Sequence, residues 1–226
     1  TDRLFRSPHI LRMEMPNDKD TLNQAHKDFV REKGLEEGYL RPMCYFGSDG
    51  MGLRAYNLKT HVIVAAWEWP SYMDPEARDR GIKVRTSSYT RHHVNINMCK
   101  AKSNGSYINS MLALTEALES GAEEALLLDN EGYVAEGSGE NIFVVRDNKI
   151  YTPEWTSCLE GITRDTVFTL AQELGYDIKE RRITRDEVYV ADEAFFTGTA
   201  AEVLPIRELD GRTIGNGGRG PLTEKL

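Results

Sequence analysis

Four short polar segments carry the residue types that can do chemistry. Lys102-Ser103-Asn104-Gly105-Ser106-Tyr107 sets an amine before a small-residue turn and a phenol after it. Glu136-Gly137-Ser138-Gly139-Glu140-Asn141 ends a strand with a carboxylate beside glycines, whose missing side chains let a flat ligand approach the backbone. Gly161-Ile162-Thr163-Arg164-Asp165 opens a helix, where unpaired N–H groups and the positive end of the dipole suit a phosphate. Thr197-Gly198-Thr199-Ala200-Ala201-Glu202 follows a strand with further amides and a hydroxyl. Each has a plainer explanation: a surface lysine, an ordinary helix cap, a solvated strand end or a tight turn. Taken one at a time, the plainer explanation is the better one.

The elements that hold these segments follow from periodicity and punctuation. Asn17 or Asp18 caps a helix with Leu22, Ala25, Phe29 and Val30 on one face and Gly34 as its stop. Gly38 to Gly47 reads as a strand, and the apolar run from His61 to Trp69 as a strand covered on both faces. Ile82 to Ser88 reads as another strand. Tyr107 to Ser120 reads as a helix with Met111, Leu114, Ala117 and Leu118 inward. Strands follow at Glu124 to Leu128, Tyr133 to Glu136, Asn141 to Val145 and Ile150 to Thr152, with turns at Asn130-Glu131-Gly132 and Asp147-Asn148. Thr163 caps a helix in which Val167, Leu170, Ala171 and Leu174 recur at helical spacing before Gly175. Thr184-x-x-Glu187 is a capping box, and strands at Ala194 to Thr197 and Glu202 to Leu209 follow, with Asp210-Gly211 as a hairpin turn.

Strands mixed with segregated helices argue for an α+β fold over a doubly wound sheet. The composition shift between Trp69 and Gly81, with Pro70, Pro75 and several charges, predicts a boundary: residues 1–70 as one small domain, 71–80 as a linker and 81–226 as a large domain. The glycines spell neither GxGxxG nor GxxxxGK[ST].

A net charge of −8 without a basic stripe argues against nucleic acid, and the longest apolar run is too short for a membrane span. Cys44, Cys99 and Cys158 lie far apart, as free thiols in a reducing compartment would, and the predicted place is the cytoplasm. Adjacent His92 and His93 point different ways and read as a solvated turn, so no metal site is expected.

Together the four segments resemble, in order and spacing, the fold type IV pyridoxal-phosphate enzymes, and most closely the branched-chain amino acid aminotransferases. Thr1-Asp2-Arg3-Leu4-Phe5-Arg6-Ser7, Gly38-Tyr39-Leu40-Arg41-Pro42 and Gly50-Met51-Gly52-Leu53 extend the match, so it covers nearly the whole chain. The resemblance implies a two-domain fold like that of D-amino acid aminotransferase, with a small N-terminal α/β domain and a larger C-terminal domain around a strand-rich pseudo-barrel. The family's pattern begins before Thr1 and runs past Leu226, so the small domain is expected to be truncated in this stretch.

The same resemblance implies the roles. Lys102 would be the catalytic residue, holding pyridoxal 5'-phosphate as a Schiff base and, partly buried, moving protons. Tyr107 would bind the ring's phenolic oxygen and Glu136 its pyridine nitrogen. Arg3, Ile162, Thr163 and Thr199 would hold the phosphate, with Leu159 and Gly198 lining the cofactor. Tyr39, Thr199 and Ala200 would take the substrate's α-carboxylate, Arg41 a second carboxylate, and Leu53, Trp69 and Tyr72 the aliphatic side chain. The implied reaction is transamination of L-leucine, L-isoleucine or L-valine with 2-oxoglutarate, by a homodimer or a multiple of one. The alternatives are a D-amino acid transaminase, an (R)-selective amine transaminase or aminodeoxychorismate lyase of the same fold, or an inactive homologue that serves as a binding protein.

Overall fold

A computed structural model describes residues 1–69, 74 and 76–226. It contains two compact units: Thr1–Pro70 with Ala101–Ser103, and Ser71–Lys100 with Asn104–Leu226.

Among the described residues the first unit has two α-helices, a short 3-10 turn at Ala55–Asn57 and a hairpin. Helix α1 (Asp2–Ile10) buries Ser7 and Pro8. Helix α2 (Lys19–Lys33) starts where the Asp18 carboxylate accepts the Thr21 amide at 2.7 Å, and ends at Gly34, whose φ of 61° suits a residue without a side chain. Strand β1 (Tyr39–Phe46) pairs antiparallel with β2 (Thr60–Trp67), Tyr39 opposite Trp67. The expectation that β2 is covered on both faces is corrected. These two strands form a sheet of their own, and the β2 side chains alternate, with His61 and Ile63 exposed.

The second unit is built on one nine-stranded mixed sheet. In chain order its elements are α3 (Ala77–Arg80), β3 (Ile82–Thr86), α4 (Tyr107–Glu119), β4 (Glu124–Leu128), β5 (Val134–Gly137), β6 (Asn141–Arg146), β7 (Lys149–Thr152), α5 (Ile162–Glu173), β8 (Ile178–Glu180), α6 (Arg185–Tyr189), β9 (Glu193–Gly198), β10 (Glu202–Leu209), β11 (Arg212–Thr213) and α7 (Pro221–Lys225). The strand order is β5-β4-β3-β10-β9-β6-β7-β8, with β11 paired to β10. Parallel pairs join β3 to β4 and to β10, and β7 to β8; the other pairs are antiparallel.

Strand β6 is apolar along most of its length because both of its faces are buried. Ile142 and Val144 pack into one core with Phe196 and Leu204, and Phe143 and Val145 into another with Phe195, Val167 and Ala171. The Phe143 and Phe195 rings stack 5.2 Å apart, and truncating either to alanine should cost about 3–5 kcal/mol.

Two helices differ from the sequence reading. Helix α4 buries Ser110, Ala113 and Ala117, while Met111 and Leu118 stand 58% and 55% exposed. Its small residues set it against Ala125 and Leu127 of β4, and this close approach outweighs the pull of the larger apolar stripe. Helix α5 is capped by Gly161, two residues before the expected Thr163, and position 161 is glycine because a side chain there would meet the Asn141 Oδ1 at 2.0 Å. Helix α6 has the expected capping box, with the Thr184 amide donating to Glu187 at 2.9 Å. Among the described residues no helix is long and apolar enough to cross a membrane.

Candidate active site

Within the second unit, Glu136 is fixed by register. It lies opposite Leu127 on β4, while the chain beyond β3 continues along β4 through the amides of Ser87 and Arg91, which donate to Leu126 and Leu128. This sets the Arg91 guanidinium beside Glu136, Nε 2.7 Å from Oε1, with both side chains 8% exposed. The Nε–H points off that line, so the contact is an ion pair and not an aligned hydrogen bond. The other carboxylate oxygen accepts the Leu159 amide at 2.9 Å. Glu136 is thus a buried carboxylate with its charge balanced on one side.

Asn141, at the start of β6, ties the remaining polar segments together. Its side-chain amide donates to the Leu159 carbonyl at 2.9 Å, its Oδ1 lies against Gly161, and its backbone is paired with Thr197. The Glu136 end of β5, the loop into α5 and the Gly198-Thr199 turn therefore converge around one side chain. No side chain caps the first turn of α5, where Ile162 and Thr163 lie. Thr199 and Ala200 form the turn between β9 and β10, and Glu202 behind them takes a left-handed φ of 56°. The buried Thr197 hydroxyl has no partner among the described residues. Tyr107 is the first residue of α4 and is half-buried.

The same burial perturbs neighbouring groups. Desolvation, with the Glu136 charge adding to it, pushes the Cys158 thiol up to about 12, so it remains protonated. Burial and the Arg91 charge lower the pKa of His92. The reading of His92 and His93 as a solvated turn is half corrected: His93 is exposed, but both ring nitrogens of His92 are shielded from solvent.

In the first unit, the Lys102 amide donates to the Ser7 hydroxyl at 3.1 Å, and Arg3 precedes Ser7 by one helical turn. Helix α1 thus presents Arg3 and the lysine segment on a common face. Lys102 itself is exposed, where partial burial was expected, because the short segment Ala101–Ser103 contributes no apolar side chain beyond the buried Ala101 to cover it. A separate aromatic group forms on the hairpin: Tyr39 lies 5.3 Å from Trp67 and 4.7 Å from Trp69, with the Arg41 guanidinium 5.4 Å from the Tyr39 ring. Their positions alternate by two along the strands, so they share one face. Leu53 lies outside this group, fully exposed in the loop after β1. Tyr72 lies outside the described residues.

Residues 1–209 match the family model of the class IV amino-transferases. The chain belongs to this family. Among curated relatives of this aminotransferase, the branched-chain-amino-acid aminotransferase of Pseudomonas aeruginosa is 67% identical over 226 residues, which is all of this chain and 74% of that protein. The T.th. branched-chain amino acid aminotransferase complexed with N-(5'-phosphopyridoxyl)-L-glutamate superposes with a TM-score of 0.93 at 47% identity, over 99% of this chain and 73% of that one. The same enzyme complexed with 4-methylvaleric acid gives 0.93 at 46%, over 99% and 73%. Fold type IV, as the sequence implied, is the fold of this aminotransferase.

The structure also brings in residues that sequence reasoning missed. Arg91 lies in the irregular segment beyond β3 and Asn141 starts β6, with no periodicity to mark either. Trp67 was legible in principle, since it lies two positions before Trp69 on the same face.

Proposed function

We propose that this chain transaminates the branched-chain L-amino acids leucine, isoleucine and valine with 2-oxoglutarate, giving branched 2-oxo acids and L-glutamate, with pyridoxal 5'-phosphate as cofactor. The observation that carries the reading is the buried Glu136, charge-balanced by Arg91 and linked through Leu159 and Asn141 to the helix start and the β9–β10 turn. The donor set fits the cofactor: an acid for a ring nitrogen, and helix-start amides with hydroxyls for a phosphate.

Bound pyridoxal phosphate supplies an aldehyde that captures the amino group and a ring that accepts the electrons left on the α-carbon. In our reading Glu136 would pair with the ring nitrogen, and Arg91 and the Leu159 amide hold its carboxylate in place. The amides of Ile162 and Thr163, the Thr199 hydroxyl and Arg3 hold the phosphate, Leu159 and Gly198 line the ring, and Tyr107 binds its oxygen. Lys102 Nζ takes the proton from the substrate α-carbon as base and gives it up as acid.

Tyr39 and the Thr199 and Ala200 amides bind the α-carboxylate. Arg41 meets the second carboxylate of 2-oxoglutarate, while Trp69, Leu53 and Tyr72 receive the aliphatic chain. That one site takes both kinds of side chain is supported by the glutamate adduct and the 4-methylvaleric acid in the T.th. enzyme. We assign residues 81–226 as the cofactor-binding domain. The exposed Ile108, Met111, Leu112 and Leu118 of α4 support a homodimer, and three free thiols support the cytoplasm.

The test is a transamination panel of L-leucine, L-isoleucine, L-valine and D-alanine with 2-oxoglutarate. The reading requires turnover of the three L-amino acids; turnover of D-alanine alone would move the protein to the D-amino acid transaminases.

A further inference from the structure

Two buried carboxyl groups meet beneath the Glu136 turn. Glu124 on β4 is 2% exposed and Glu140, just before β6, 6%. Glu124 accepts the amides of Ala125 at 2.6 Å and Ser138 at 3.2 Å, and Glu140 accepts the Gly139 amide at 2.9 Å. The two carboxyl groups thus sit on adjacent amides of one turn, at Ser138 and Gly139. Among the described residues neither forms an ion pair.

The Glu140 side chain fills a particular gap. Its Oε2 lies 3.0 Å from where a side chain on Gly137 would begin, and its Cγ 3.4 Å from the same point on Gly198. Gly137 follows Glu136, and Gly198 precedes Thr199. The Gly137 amide closes the turn by donating to the Glu140 carbonyl at 2.7 Å. Glu140 therefore separates the backbone that carries the ring acid from the backbone that carries the phosphate-binding hydroxyl.

We propose that Glu140 is a positioning residue for transamination: its buried side chain fixes the spacing between the Glu136 turn and the Gly198-Thr199 loop. The inference rests on the roles given above to Glu136 and Thr199. Among the described residues, the charged groups that act on Glu140 are Glu124 from β4 and Glu136 from β5, while Gly198 of β9 carries no charge. Burial first, then the Glu124 and Glu136 charges, push Glu140 up to about 8. Glu140 is thus protonated at neutral pH and loses that proton in mildly alkaline solution. Two adjacent buried anions then repel, and the gap they fill opens.

The sign of the linked stability follows. The folded state holds a proton that the unfolded chain releases near 4.5, so stability declines as pH rises from about 4.5 to about 8 and is level beyond.

The test compares the wild-type holoenzyme with Glu140→Gln, which keeps a donor and the shape but cannot ionise, and with Glu140→Ala. Three quantities are followed from neutral to alkaline pH: kcat and KM for L-leucine, the dissociation constant of pyridoxal phosphate, and the melting temperature of the cofactor-stripped protein. Wild type should lose cofactor affinity about tenfold for each pH unit beyond the loss of the proton. Glu140→Gln should rescue neutral affinity without this alkaline loss, and its stability should decline less between acid and pH 8, since only the buried Glu124 then keeps a raised pKa; Glu140→Ala should bind weakly at every pH. An active wild type whose Glu140→Gln variant keeps the alkaline loss overturns this inference alone. A wild type that does not transaminate overturns the reading of function instead. Should Glu140→Ala fail to fold, the glutamine variant still decides.

Discussion

Replacing Arg91 by methionine is the sharpest perturbation of the site's charge balance. The Arg91–Glu136 pair is 2.7 Å apart with both partners 8% exposed, so solvent screens little of it. Methionine keeps most of the apolar stem and removes the charge, leaving Glu136 buried without the guanidinium that faces it at 2.7 Å. Breaking a buried pair from one side costs about 3–5 kcal/mol. For a chain of this size, at roughly 2–4 °C per kcal/mol, the melting temperature should fall by roughly 6–20 °C. The double variant Arg91→Met/Glu136→Gln removes the stranded charge as well and should recover most of that loss, yet remain inactive for want of the ring acid. The assay is thermal melting of the four proteins of the cycle, with L-leucine turnover beside it. A single variant less than about 1 kcal/mol below wild type, or a double variant no more stable than Arg91→Met, would refute the argument that Arg91 compensates Glu136.

Other changes have equally definite outcomes. Gly161→Ala drives a methyl to within 2.0 Å of Asn141 Oδ1, which the Leu159 carbonyl holds from its other end; it should cost about 1–3 kcal/mol and weaken cofactor binding, read by melting and by titration with pyridoxal phosphate. Thr184→Ala removes half of the α6 capping box and should cost about 1 kcal/mol in urea unfolding. The Arg181 guanidinium holds the Glu187 carboxyl at about 2, below its ordinary 4.5. Its stabilisation is therefore fully present above about 4.5 and lost as pH falls towards 2, and a Glu187→Gln variant should be less stable than wild type at neutral pH and match it in acid.

The chain was most legible where local chemistry and packing agree. Thr184 and Glu187 announce α6 by themselves, and Gly34 stops α2. The sequence misleads where a tertiary contact outranks a local preference. The larger apolar residues of α4 argue for one face, but Ala113 and Ala117 let the helix approach β4 more closely along another. Thr163 is the better capping residue, yet Asn141 leaves room only for glycine at 161. Strand β8 spans Ile178–Glu180 and is too short and polar to alternate, so it gave no signal.

For the site, the segments holding Lys102, Glu136, Gly161 and Thr199 stood out by composition, but their meaning came from their order taken together. The residues that support them, Arg91 and Glu140, were not legible. One is a buried arginine next to a more conspicuous histidine pair, and the other is a second glutamate whose protonation depends on strands distant in sequence.

The central claim is that Lys102 carries the cofactor. Reduction of the holoenzyme with borohydride, followed by peptide mapping, tests it most directly. The account predicts a single phosphopyridoxyl label on Lys102, and none in a Lys102→Ala variant, which should also lose all turnover of L-leucine. A label on another lysine, or an unlabelled protein that still transaminates, would contradict it.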